Sequence, residues 1–159
     1  MVVVADTSPV NYLVLIDCID VLRILYGRVV IPVEVFSELT AEGAPAAVAA
    51  WIRDRPEWIE VRHAPQGTVP EVAASLDAGE AAAIRLALIE PDSLLLIDES
   101  AGRMAADKLG VSNTGTLGVL LEAAAEGLVD LRAALEKLRR TNFRVSQSLI
   151  ERLARLSPE

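Results

Sequence analysis

Two aspartates follow short apolar runs that are typical of buried β-strands. Asp6 comes directly after the run VVVA at residues 2–5, and Asp98 ends the run DSLLLID. An ionised carboxylate at the end of a core strand is costly unless a partner binds it or a site uses it. Two glutamates in helical patterns, Glu38 and Glu80, are further candidates. The sequence therefore offers four acids for one site.

Acids in this arrangement suit one kind of chemistry. In an open parallel sheet, ligands bind beyond the carboxyl ends of the strands. Carboxylates that gather there without Lys or Arg repel each other, and a hard divalent cation with oxygen ligands relieves that repulsion. Mg²⁺ or Mn²⁺ fits such a site and activates water for in-line attack on a phosphodiester. The acids therefore predict metal-dependent cleavage of a phosphodiester.

Each of these acids also has a structural explanation. Asp77 and Glu80 match the cap and the third position of a capping box. Glu38 suits a solvated helix face, and Asp98 suits the dipole of the helix that follows it. The first aspartate is harder to explain in this way, because Ser8 is already the predicted cap of the first helix. The argument for a site therefore rests on the whole set of acids.

Strand-like and helix-like patterns alternate along the chain. Ser8 as a cap and Pro9 at the first helical position predict the first helix. Strands are predicted at residues 2–5, 28–32, 57–61 and 92–98, with a short strand or turn after 111. Helices are predicted within 8–27, 33–43, 44–55, 76–90, 99–110, 111–129, 131–140 and 146–156, and a loop at 62–70. Alternation of this kind predicts one α/β domain over residues 1–159, with a parallel sheet between helices and terminal helices from about 130.

Charge and composition restrict the class of protein. The net charge is −8, with 16 acidic and 6 basic residues in 1–100 but 7 acidic and 9 basic residues in 101–159. We expect weak general affinity for nucleic acid from this balance. No apolar run is long enough for a membrane span and the start lacks a signal-peptide pattern, so we expect a cytoplasmic protein. Cys18 is the only cysteine, which excludes an internal disulfide, and His63 lies in a predicted loop.

Five segments of the sequence resemble the PIN-domain family. They are VVVADTSPV, VIPVEVFSEL, LDAGEAAAIRLAL, LLLIDESAGRMAADKLG and NTGTLGVLLEAAAEGLV, and together they span nearly the whole chain. The chain is similar in particular to small prokaryotic PIN proteins that act as ribonuclease toxins of toxin–antitoxin pairs. The resemblance implies a three-layer α/β sandwich and Mg²⁺- or Mn²⁺-dependent cleavage of single-stranded RNA. Apolar helical surface in the segments 10–27 and 46–55 predicts a homodimer, and the resemblance also implies a dimer that can hold a small antitoxin protein.

The resemblance assigns roles to residues by motif position. The catalytic acids fall on Asp6, Glu38, Glu80 and Asp98, and the metal ligands on Asp6, Glu80 and Asp98. Supporting positions fall on Thr7, Ser8, Glu99, Thr114 and Thr116, where Glu99 replaces the aspartate that often follows the last acid. Candidate contacts with RNA phosphates are Arg103, Arg139, Arg140 and Arg144, although a solvated helix end also explains the last three.

Other classes of protein fit the sequence less well. A dinucleotide or nucleoside-triphosphate site needs a glycine fingerprint after the first strand, and ADTSPV contains no glycine. A phosphoaspartyl phosphatase needs an aspartate where Ser8 stands. The remaining alternative is a PIN-fold module that binds RNA or a partner protein without cutting RNA. Metal-dependent cleavage distinguishes the two.

Overall fold

The computed structural model describes residues 1–67 and 76–155. Within these residues, parallel strands alternate with helices. The strands are β1 (Val2–Ala5), β2 (Val29–Pro32), β3 (Ile59–Arg62), β4 (Ser93–Leu96) and β5 (Ser112–Thr114). The helices are α1 (Thr7–Leu15), α2 (Val21–Tyr26), α3 (Val33–Leu39), α4 (Ala46–Arg53), α5 (Ala78–Leu88), α6 (Ser100–Lys108), α7 (Thr116–Ala125), α8 (Leu131–Arg139) and α9 (Gln147–Arg155).

The sheet has the order β3-β2-β1-β4-β5, and each neighbouring pair is parallel. The chain builds outward from β1 through β2 to β3 and then returns to the other side of β1 with β4 and β5. The direction of building therefore reverses between β1 and β4. In sheets of this kind, a crevice for ligands opens at the carboxyl ends of the strands at that reversal.

Alternating side chains of the strands pack into two separate cores. Val3 of β1 belongs to a core with α1, α3, α7 and α8, whereas Val4 belongs to a core with α5 and α6. This alternation is the period of two that a strand imposes on its side chains. The predicted α/β sandwich, with a parallel sheet between two layers of helices, is confirmed.

Several predicted boundaries differ from the structure. Helix α1 begins at Thr7 with Asp6 at its N-cap, so the predicted cap at Ser8 and the predicted first position at Pro9 are wrong. Pro9 is tolerated at the third helical position because its missing N–H is one that no helical carbonyl accepts. β4 ends at Leu96, so Asp98 lies in the connection to α6 and not at the end of the strand.

The remaining elements overlap their predicted segments, although β3 lies at 59–62 in place of the predicted 57–61 and includes Arg62 of the predicted loop. The segment 8–27 contains two short helices, and the chain turns between them at Asp17, which has a φ of 60°. His63 is exposed and outside regular structure, as expected. Residues 68–70 of the predicted loop and Leu156 of the last predicted helix lie outside the described residues. Among the helices of the described ranges, none combines the length and apolar character that crossing a membrane requires.

Candidate active site at the carboxyl edge of the sheet

The crevice at the reversal point is bordered by the segments that follow β1 and β4. The backbone N–H of Asp6 donates to the carbonyl of Leu96 at 2.9 Å, which holds the end of β1 against the end of β4. The N–H of Ile97 donates in turn to the carbonyl of Thr114 at 2.8 Å. Asp6 and Asp98 therefore follow two adjacent strands at the same edge of the sheet.

Asp6 is buried at the entrance to α1. It has the extended backbone of an N-cap residue, yet its side chain accepts no capping hydrogen bond. Its side chain is only 5% exposed, and its Oδ1 atom has no hydrogen-bond partner among the described residues. A buried carboxylate oxygen without a partner is costly. Helix capping therefore does not explain this aspartate.

Glu38 of α3 faces the same region as Asp6. The Thr7 hydroxyl donates to Glu38 Oε2 at 2.6 Å, which fixes the carboxylate across 31 residues of chain. Glu38 Oε1 faces Gly79 so closely that a Cβ atom there would collide with it, and the same Cβ would lie 3.4 Å from Asp6 Oδ1. The two carboxylates therefore converge above Gly79, and Glu38 is not merely a solvated helix residue.

Glu80 takes part in a helix cap and also contributes to the acidic crevice. Asp77 Oδ1 accepts from the Glu80 N–H at 2.8 Å, and Glu80 Oε1 accepts from the Asp77 N–H at 3.0 Å, which completes the predicted capping box. The Glu80 side chain is nevertheless 5% exposed and lies at the buried end of α5. Its second oxygen, Oε2, lies 3.7 Å from the position that a Cβ of Gly102 would occupy. One oxygen therefore caps the helix and the other faces α6.

Asp98 is held by the start of α7. Its Oδ1 accepts from the backbone N–H of Thr116 and its Oδ2 from the Thr116 hydroxyl, both at 2.7 Å. A Cβ atom at Gly115 would lie 2.6 Å from Asp98 Oδ1 and 3.6 Å from Arg103 Nη1. Glycine at 115 therefore permits the carboxylate to reach the helix start, with the guanidinium of Arg103 close by.

Burial and like charges shift the acids of the crevice toward their protonated forms. Burial, with the charges of Asp77, Glu80 and Glu38, raises the pKa of Asp6 to about 8, although the Thr7 backbone N–H opposes the shift. Burial also raises the pKa of Glu80, with contributions from the charges of Asp77, Glu99 and Glu38. These carboxylates therefore carry an unfavourable charge when they are all ionised.

Asp98 has a different electrostatic environment. Burial and the charge of Glu99 raise its pKa above the ordinary value, although the hydrogen bonds from Thr116 and the charge of Arg103 oppose the shift. The structure therefore brings Asp6 and Glu38 together at Gly79, with Glu80 near enough for its charge to act on Asp6, and Asp98 has a separate set of contacts. The charge of Glu99 acts on both Glu80 and Asp98 and raises the pKa of each.

A comparison with protein-family models identifies the family of the chain. A model described as a PIN domain matches residues 2–159. The chain belongs to the PIN-domain family. The resemblance found in the sequence is therefore confirmed, and PIN domains are generally nucleases. No curated protein and no solved structure matches the chain significantly.

The acidic pocket of this PIN domain fits a divalent metal in its donor chemistry. Within residues 1–67 and 76–155, no group of three His, Cys, Asp or Glu side chains is drawn together as a ready-made set of ligands. The pocket nevertheless holds oxygen donors, and the unpartnered Asp6 Oδ1 is an acceptor that a cation satisfies. Burial and the neighbouring negative charges raise the pKa of Asp6, and a bound cation would oppose both effects because it favours the ionised carboxylate.

The remaining candidate residues from the sequence lie at or just before the start of α7, on or after α8, and in a cleft next to Asp98. The candidate hydroxyl of Thr116 contacts Asp98, whereas Thr114 packs so closely against Gly118 that a Cβ there would collide with its hydroxyl. Arg139 forms an ion pair with Glu136 at 3.5 Å on the exposed face of α8. Arg140 is exposed at the end of that helix. Ser8 and Arg144 line a cleft next to Asp98.

Sequence patterns did not reveal the glycines on which the site depends. Gly79 is the second residue of α5, and glycine within a helix costs up to about 1 kcal/mol relative to alanine. A glycine within a helix, directly before a candidate acid, could have indicated that other side chains approach the backbone closely at this position. Asp77 was assigned to capping alone, yet its charge also acts on Asp6.

Proposed function

We propose that this PIN domain is a Mg²⁺- or Mn²⁺-dependent endoribonuclease that cleaves phosphodiester bonds of single-stranded RNA. The observation that carries the proposal is Asp6 Oδ1, a buried carboxylate oxygen without a hydrogen-bond partner among the described residues. It faces the crevice together with Glu38 Oε1, where a cation would offset both charges. Membership of a family of RNA-acting nucleases supports the same assignment.

In the proposed mechanism, the acids divide into metal ligands and a proton acceptor. Asp6, Glu80 and Asp98 are the proposed ligands, and each oxygen of Asp98 that accepts from Thr116 keeps a further lone pair for the ion. A bound Mg²⁺ or Mn²⁺ supplies positive charge for the phosphate and lowers the pKa of an attacking water. Glu38, whose Oε2 already accepts from Thr7, leaves Oε1 to accept the proton of that water.

The supporting residues orient these acids. Thr7 fixes Glu38 through its hydroxyl, and Thr116 fixes Asp98 through both its N–H and its hydroxyl. Glu99, at the N-cap of α6, accepts no capping hydrogen bond with its side chain and adds negative charge near Glu80. Preorganised carboxylates need no rearrangement when the substrate binds, which lowers the barrier to reaction.

We propose the toxin of a toxin–antitoxin pair as the biological role, with a homodimer as the working form and a small antitoxin protein as partner. The resemblance in sequence supports the role, and we propose a cytoplasmic location together with it. Leu15 and Ile24, which are 37% and 53% exposed on the first two helices, support the homodimer because a second copy can cover them. Sedimentation that finds only monomer at micromolar concentrations would contradict the dimer.

The experiment that tests the proposed activity is cleavage of end-labelled single-stranded RNA. Wild-type protein should cut with Mn²⁺ or Mg²⁺ and stop with EDTA, and Asp6→Asn should be inactive while it keeps the wild-type circular dichroism spectrum. Asp20→Asn is the matched control, because Asp20 is exposed before α2 and its side chain makes no capping hydrogen bond. A folded wild type that binds RNA and never cuts it would favour the non-catalytic module.

A further inference from the structure

A polar cleft has Asp98 in its lining. It has a volume of about 640 Å³ and lies between α1 and the segment 140–146 that joins α8 to α9. A volume of this size is in the range of small-ligand sites. The residues of its wall that matter here are Ser8, Tyr12, Asp98, Asn142, Phe143 and Arg144.

Two aromatic rings form one wall of this cleft. The rings of Tyr12 and Phe143 meet edge to face, with centroids 4.9 Å apart and planes at 82°. The Tyr12 hydroxyl also donates to Asn142 Oδ1 at 2.6 Å, which ties the segment to α1 and orients the amide. Both rings are only partly buried, so an aromatic surface is available to a planar ligand.

The lining of the cleft carries charges of both signs. Arg144 contributes an exposed guanidinium, and Asp98 and Glu99 contribute carboxylates. A ligand that joins an anionic group to a planar ring would satisfy Arg144 and the aromatic wall at once. Single-stranded nucleic acid repeats this combination at every nucleotide, whereas a duplex keeps its base faces stacked on one another.

We propose that this cleft binds one nucleotide of single-stranded RNA next to the bond that is cut. The base stacks on the wall formed by Tyr12 and Phe143, and a phosphate contacts Arg144. The inference rests on the proposed function, because Asp98 joins the cleft to the acidic crevice. It gives the preference for single strands a physical origin, and it separates Arg144 from the other candidate arginines.

The test measures binding of a short fluorescein-labelled single-stranded RNA to the protein in an Asp6→Asn background, which prevents the proposed cleavage. Arg144→Gln should weaken binding about tenfold, and it should reduce the slope of log Kd against log salt by about 0.7, since one phosphate contact is lost. Arg144→Lys should restore the slope, because it restores the charge. Arg132→Gln is the matched control, since Arg132 is exposed on α8 and does not line the cleft.

A second variant tests the stacking wall without a change of charge. Phe143→Leu should weaken binding at least fivefold, by the typical contribution of base stacking, and leave the salt slope unchanged. Duplex RNA should bind more weakly than the single strand. Unchanged affinity and slope in Arg144→Gln, or unchanged affinity in Phe143→Leu, would overturn the inference about the cleft. A different result is that both variants weaken binding while the wild type cuts no RNA. That result would support the inference about the cleft and overturn the proposed nuclease activity.

Discussion

Thr116 donates to both oxygens of Asp98, from its backbone N–H to Oδ1 and from its hydroxyl to Oδ2, each over 2.7 Å. The two bonds join the connection after β4 to the first turn of α7 and orient the carboxylate. Hydrogen bonds to the charged form favour it, so they lower the pKa of Asp98 against the effect of burial. Thr116 therefore influences both the position and the charge of this acid.

Thr116→Val should reduce cleavage while the protein stays folded. Loss of the hydroxyl bond removes one donor to a carboxylate, which typically costs about 1.5–3 kcal/mol of stability. It also raises the pKa of Asp98, so the acidic limb of the pH–rate profile should move to higher pH. Thr114→Val is the matched control, because the Thr114 side chain packs against Gly118. Equal effects of the two substitutions would contradict the role of Thr116.

Asp6→Asn should stabilise the metal-free protein at neutral pH. Burial and neighbouring carboxylates raise the pKa of Asp6 to about 8, so the folded state binds a proton that the unfolded state releases near pH 4. Between these values, the free energy of unfolding of the wild type should fall by up to about 1.4 kcal/mol per pH unit as pH rises. The Asn variant lacks this contribution. Urea unfolding in EDTA from pH 4 to pH 8 measures both slopes.

Asp98→Asn is the informative comparison for that experiment. Asn at this position keeps Oδ1 as the acceptor for the Thr116 N–H, and its Nδ2 can donate to the Thr116 hydroxyl. This variant should gain less stability than Asp6→Asn, because the donors of Thr116 and the charge of Arg103 already favour the ionised Asp98. If the free energies of unfolding of Asp6→Asn and the wild type change in parallel with pH, the pKa of Asp6 is not raised in the folded state and the prediction is wrong.

Mn²⁺ should raise the melting temperature of the wild type, and Asp6→Asn should lose most of that rise. A ligand that binds only the folded state stabilises it by about 2.7 kcal/mol at one hundred times its dissociation constant. Differential scanning fluorimetry with and without Mn²⁺ measures the shift. Asp20→Asn, whose side chain lies before α2, should keep the full shift. A full shift in Asp6→Asn would remove Asp6 from the metal site.

Gly79→Ala should separate activity from stability. A Cβ at this position would collide with Glu38 Oε1 and lie 3.4 Å from Asp6 Oδ1, so the carboxylates must move apart. Both atoms are ends of side chains that can shift, and alanine favours the helix by about 1 kcal/mol over glycine. We expect near wild-type unfolding free energy with at least about tenfold slower cleavage, since small displacements of catalytic groups are costly. Wild-type rates would show that the two carboxylates need not converge.

Local patterns along the chain were sufficient for the architecture. Alternating strand and helix patterns predicted the parallel sheet, and Asp77 with Glu80 predicted the capping box that opens α5. Residues close in sequence decide both features. The alternation of side chains along a segment distinguishes strand from helix, and the hydrogen bonds of the capping box span three residues. Asp6 stood out for the same reason, because a carboxylate directly after a buried strand conflicts with its surroundings.

Contacts between distant parts of the chain decided the rest. The bond from Thr7 to Glu38, the approach of both acids to Gly79, and the attachment of Asp98 to Thr116 depend on strand order and helix packing. The cap of α1 also moved from Ser8 to Asp6, because the hydrogen bond from Asp6 N–H to Leu96 sets where β1 ends. Sequence neighbours act over a few bonds, whereas burial and charge depend on everything within a few ångströms. Only the folded chain defines that set of neighbours.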